Sequence, residues 1–171
     1  MNDLYEKSLE FAKKVVNTNK DEYARRNQTN TDLIVKQIAD GKYCEYIVEL
    51  DLKKDFTIIN GVDVEVYDKQ RKSFDADIIV ECSDWTQNHY HVKSITRKSA
   101  NRFGVSWMFQ KQDTITTTPK KEDILALCII EPNGEVDFSY YFADEVTGLY
   151  RPPKLERLIK TKTCLYLEDL P

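Results

Sequence analysis

The chain has 171 residues and a mass of 20.0 kDa, with 41% hydrophobic and 32% charged residues, 5 Gly and 5 Pro. That composition suits one globular domain, and it excludes both a disordered chain and a collagen-like one. The net charge is −4, no apolar run approaches the roughly 20 residues of a membrane span, and the first residues lack a basic flank and apolar core; a soluble intracellular protein with no membrane partner is expected.

The chain opens helical. Leu4, Phe11, Ala12, Val15 and Val16 follow helical spacing, with Asp3 as a candidate N-cap, and Asn17-Thr18-Asn19 ends the run. A short polar helix is expected over 22–26, then helical turns over 33–38 capped by Thr31 or Asp32. Asp40-Gly41 reads as a break. A second amphipathic helix is expected over 42–54, with Tyr43, Ile47 and Leu50 on one face and Cys44, Val48 and Leu52 widening it.

The period then changes. Segments 56–60 and 62–67 are β-branched and aromatic, with Asn60-Gly61 between them. Segment 76–82 reads as a short apolar strand, and 90–95 as its neighbour across the polar turn 83–88. The all-apolar run 124–130 predicts a strand buried on both faces, and Pro132-Asn133-Gly134 predicts a hairpin to 136–142. Pro152-Pro153 breaks the chain before a helix over 155–159 and a last strand over 164–167. These elements give an α/β (α+β) fold with a central mixed β-sheet flanked by helices. One domain spans 1–171: a helical part over 1–40, a core over 41–142 and a C-terminal extension over 143–171.

The 4 cysteines, Cys44, Cys82, Cys128 and Cys164, form no CxxC pair, so a zinc finger is not expected; three lie in apolar runs and read as small buried hydrophobes. Charge is segregated. Segment 45–68 holds seven acids against Lys53 and Lys54, whereas 94–121 holds six bases against Asp113, and 151–162 holds five bases against Glu156. This pattern fits either an acidic metal site beside a basic groove or solvated faces that happen to cluster.

Two neighbouring strand ends carry the candidate chemistry. Asp77 immediately precedes a buried strand. His91 and Lys93 follow, and because side chains alternate along a strand they share one face. An acid, an imidazole and a lysine converging at a strand end suit phosphodiester cleavage: the acid holds a divalent cation and the lysine orients water or stabilises the charged transition state. The ordinary alternatives are a turn-forming Asp, an edge-strand His-x-Lys pair and a solvated helix face at Glu45 and Glu49.

Ala76-Asp77, thirteen residues, then His91-Val92-Lys93 resembles the PD-(D/E)XK superfamily of restriction-endonuclease-like nucleases. Gly41 to Val48 resembles that superfamily's first core helix, on which Glu45 matches a further active-site glutamate. Ser106-Trp107-Met108-Phe109-Gln110 follows the lysine strand, where Gln110 matches a glutamine found in some members. The resemblance covers about 40–142 and implies a restriction-endonuclease-like core. It also implies cleavage of DNA with Mg²⁺ or Mn²⁺ held by Asp77, Glu45 and His91, and Lys93 organising the nucleophile. Ala76 stands where proline is usual, and His91 where Asp or Glu is usual. An imidazole there could ligate Mn²⁺ or act as a base on water, or Glu81 or Asp75 could supply the missing carboxylate. Arg97, Lys98, Arg102 and Lys111 are the expected phosphate contacts, with Trp107 stacking on bases or lying in the core. Cutting both strands implies a homodimer, and the size suits a phage or bacterial enzyme. The competing expectation is a non-catalytic nucleic-acid- or protein-binding protein on the same fold.

Overall fold

The computed structural model describes residues 3–25, 28–67 and 76–171. Three helices come first: α1 (Asp3–Thr18), α2 (Lys20–Arg25) and α3 (Thr31–Leu52). The Asn30 side chain caps α3 by accepting the Leu33 N–H at 3.0 Å. The expected break at Asp40-Gly41 does not occur, and α3 runs through it as one 22-residue helix. A single interior glycine costs only about 1 kcal/mol relative to alanine. The burial of Ile34, Ala39, Tyr43, Cys44, Val48 and Leu52 along the helix outweighs that cost.

The strands are β1 (Thr57–Asn60), β2 (Ile78–Glu81), β3 (Gln87–Thr96), β4 (Ser106–Gln110), β5 (Asp123–Ile130), β6 (Val136–Phe142) and β7 (Lys162–Tyr166). Two short helices, α4 (Arg97–Phe103) and α5 (Thr114–Thr117), lie between β3 and β5. Five strands form a central sheet in the order β1-β2-β3-β5-β6, antiparallel except for the β3–β5 pair. The mixed sheet is thus as expected, and β5 is buried along almost its whole length. The hairpin from β5 to β6 turns at Gly134, whose φ of +88° favours glycine.

Two more sequence expectations need correction, and the place of the last strand was not foreseen. Residues 62–67 are irregular rather than a strand, because they cross α3 instead of joining the sheet: Glu49 on α3 accepts the Val62 N–H and Lys42 reaches the Asp63 carbonyl. The helix expected over 155–159 is a single 3₁₀ turn at Glu156–Leu158, too short to offset the two prolines before it. The last strand does not extend the main sheet. It pairs with β4, a strand the sequence reading did not assign, in a separate two-stranded ribbon.

The core lies on both faces of the sheet. On one face α3 packs Cys44, Val48 and Leu52 against Ile78, Val80, Tyr90, Val92, Ala126 and Cys128. On the other, Trp107 and Phe109 of β4, Ile115 of α5 and Leu165 of β7 pack against Leu125 and Leu127. Alternation along β5 sends even residues to one layer and odd residues to the other. Cys44, Cys128 and Cys164 are buried, and all four cysteines are free. Outside α3 lies α1, which stacks Tyr5 edge-on against Tyr43 and sets Phe11 under the Lys42 ammonium. Among the described residues no helix is long and apolar enough to cross a membrane.

An uninterrupted α3 makes a direct prediction. A Cβ on Gly41 would meet only Ser94 Oγ, at an ordinary 4.0 Å. Gly41→Ala should therefore stabilise the protein by about 0.5–1 kcal/mol and raise Tm by roughly 2–4 °C in calorimetry. A helix broken at this point would instead lose stability on the same substitution.

Candidate active site

The site forms where β2 leaves β3. Ile78 pairs with Tyr90, and one residue earlier the chain departs from the ladder. The Asp77 N–H donates to the Tyr90 carbonyl at 2.9 Å. Its Oδ2 accepts the Val92 N–H at 2.7 Å, standing in for the carbonyl that a continuing strand would offer. Among the described residues, β3 beyond Val92 therefore has no strand partner on the β2 side. Among the described residues the two strands part here, at a notch beside Asp77.

Glu45 lies on α3, near enough to this point to feel the charge of Asp77. Its side chain is 15% exposed and is held by the Lys42 ammonium one turn earlier. Burial pushes its carboxyl up to about 8, and the negative charge of Asp77 adds to the shift. Lys42 pulls it down, with Lys93 acting in the same direction. Glu45 is thus close enough to feel the charges of both Asp77 and Lys93. Lys42, which the sequence reading passed over, is a fourth member; the signal was its i, i+3 spacing to Glu45.

His91 is engaged elsewhere. Its Nε2 lies 3.3 Å from Asp123 Oδ1, and His89 Nδ1 lies 3.7 Å from the same oxygen. Asp123 opens β5 much as Asp77 precedes β2, and its Oδ2 accepts the Lys120 N–H at 2.8 Å. Two strands flanking β3 therefore start with an aspartate that grips a neighbour. The sequence reading singled out only the first, although an acid at the head of an all-apolar run is the same signal. Among the described residues no group of three or more His, Cys, Asp or Glu side chains is arranged to hold a metal.

The remaining candidates scatter. Lys93 Nζ stands 5.8 Å from the Phe109 ring centroid. Gln110, next along β4, is on the exposed side of that strand, away from Phe109. Glu81 sits at the far end of β2 opposite Gln87, about 13 Å along the strand from Asp77, and does not stand in for the missing carboxylate. Asp75 lies outside the described residues. Trp107 is 3% exposed and donates its indole N–H to the Cys128 carbonyl, so it is a core residue that no base can reach. Arg97 is locked in a forked ion pair with Glu131. Lys98, Arg102 and Lys111 are exposed.

No protein-family model, curated protein or solved structure matches the chain.

Glu45 also predicts a pH dependence. Its carboxyl titrates higher in the folded protein than in the unfolded chain, where the ordinary value is 4.5. The folded state therefore binds the extra proton between these values, and stability falls as pH rises from about 4.5 to 8. Glu45→Gln removes the penalty. Chemical denaturation at pH 9 in chelator should find this variant more stable than the native protein by about 2 kcal/mol, with the difference vanishing near pH 4.

Proposed function

We propose that the chain is a metal-dependent endonuclease with a restriction-endonuclease-like core that hydrolyses DNA phosphodiester bonds. The observation that supports the reading is that Glu45 feels the charges of both Asp77 and Lys93, three residues far apart in sequence. The element order supports it: a helix, three antiparallel strands, then a connection through α4, β4 and α5 to a strand parallel to the third.

The donor set fits a hard divalent cation. Mg²⁺ takes oxygen ligands and binds through one or two carboxylates, with water and substrate phosphate completing the shell. Asp77 and Glu45 would supply the two carboxylates, and their mutual repulsion is what a cation would relieve. When bound, such an ion lowers the pKa of a coordinated water and neutralises charge on the phosphate. Asp77 is oriented in advance by the Val92 N–H. Lys42 holds Glu45 in place. Lys93, on β3, stabilises charge on the phosphate oxygens or orients the attacking water. Asp123 accepts from His91 and fixes its ring, so the imidazole contributes by proton exchange or positioning rather than as a ligand. The exposed Lys98, Arg102 and Lys111 supply phosphate contacts, and cleavage of both strands calls for two copies of the chain.

One observation favours the alternative, a non-catalytic nucleic-acid- or protein-binding protein on the same fold: His91 stands where the superfamily has a carboxylate and is committed to Asp123.

With Mn²⁺ or Mg²⁺ the protein should nick supercoiled plasmid. Asp77→Asn and Lys93→Ala should each lower the rate at least a hundredfold with circular dichroism unchanged. A native protein inert with both metals, together with cleavage by His91→Glu, would establish the binding-protein alternative; inertness of both removes catalysis altogether.

DNA affinity should fall linearly with the logarithm of salt. Lys98→Ala and Arg102→Ala should each flatten that slope by up to about 0.9 for every phosphate no longer neutralised. Arg97→Ala should leave it nearly unchanged, because Glu131 already neutralises that guanidinium.

A further inference from the structure

Directly beyond Lys93 along β3, the structure has a pocket of about 390 Å³ that the proposed chemistry does not use. Its floor is the stretch of β3 that starts at Ser94. One wall is Gln37 and Asp40 of α3, and the other comes from Ser106 and Met108 of β4, Phe103 at the end of α4 and Lys154. Asp40 lies five residues before Glu45, about one and a half helical turns and some 7.5 Å along the axis. The pocket and the notch are thus neighbours, separated where Gly41 crosses Ser94.

The lining is mixed in a particular way. Phe103 and Met108 offer apolar surface of the kind that packs on a planar ring. Gln37, Ser94 and Ser106 offer hydrogen-bond donors and acceptors. Asp40 adds little charge, since both its oxygens lie 2.8 Å from Lys36 Nζ and Oδ1 also accepts from Tyr5. The cation in the wall is Lys154. Its ammonium lies 5.6 Å from the Tyr166 ring centroid and against Gly104, where a Cβ would come within 2.9 Å. Gly104 has a φ of +85°, which disfavours any side chain there.

A pocket of this volume is in the range of small-molecule sites and takes one nucleotide, not a duplex. We propose that it receives a single unstacked nucleotide of the strand whose phosphodiester lies at Glu45, Asp77 and Lys93, with the base against Phe103 and Met108 and its phosphate on Lys154. The inference rests on the endonuclease reading for its position, and it narrows the substrate to single-stranded or locally unpaired nucleic acid. Flipping a base out of an intact duplex costs a few kcal/mol, so unpaired strands should be preferred.

The test is binding without cleavage. A single-stranded oligonucleotide carrying 2-aminopurine, which brightens when it leaves the stack, is titrated with the native protein in chelator. A several-fold rise in fluorescence is expected. Lys154→Ala should weaken binding about three- to tenfold. Met108→Trp fills the pocket from a side chain already 41% exposed, and should abolish the brightening while the strand still binds. Absence of brightening at saturation, or brightening that neither variant changes, overturns the proposal. Brightening lost in Met108→Trp, with no cleavage under any metal, keeps the pocket and removes the endonuclease. Cleavage of duplex DNA with no brightening does the reverse.

Discussion

The end of one hydrogen-bond ladder organises this molecule. Where β2 begins, the Asp77 carboxylate replaces a backbone carbonyl as the acceptor for Val92. A buried strand edge must satisfy its N–H groups, and an unmet donor costs about 1–3 kcal/mol. Meeting that need with a side chain lets β2 end early without a stability penalty. Among the described residues it also leaves the remainder of β3 without a strand partner on that side, and Lys93 sits on that stretch.

Around this point the protein accepts electrostatic costs. Glu45 is a largely buried acid beside another acid, and its raised proton affinity is the measure of that strain. Lys42 offsets part of it. The core a few residues away has no such tension: Val48, Leu52, Ile78 and Val80 are almost wholly buried and apolar. Charged groups pressed together in a partly dry cleft and an ordinary core beneath them form a contrast typical of functional sites, where stability is given up for a prepared arrangement of charges. Asp123, gripping His91 on the other flank of β3, extends the same pattern of buried acids that hold strand ends.

Much of the architecture was legible in the chain. β5 was readable because eight consecutive positions are almost all apolar, and the hairpin after it because Pro-Asn-Gly leaves few other options. Asp77, Lys93 and Glu45 were readable as a set because their order and strand context resemble one superfamily's motif, and in the structure Glu45 feels the charges of the other two. Gly41 misled, since a local breaker carries less energy than a long buried helix face. The 62–67 segment misled too. Its β-branched composition suits a strand, but Glu49 and Lys42 capture its backbone before any strand partner does.

The sequence by itself determined periodicity, burial propensity and the chemical types at each position, which are local properties of neighbouring residues. It therefore set the helices, most strands and the identity of the acids and bases near the site. The tertiary structure alone decided which groups meet. His91 turned to Asp123, 32 residues away, rather than to Asp77. Trp107 went into the core, where its indole N–H found the Cys128 carbonyl. Arg97 paired with Glu131. β7 joined β4 and not the main sheet. Each of these depends on parallel or antiparallel register between distant segments, and register is fixed only when whole faces pack.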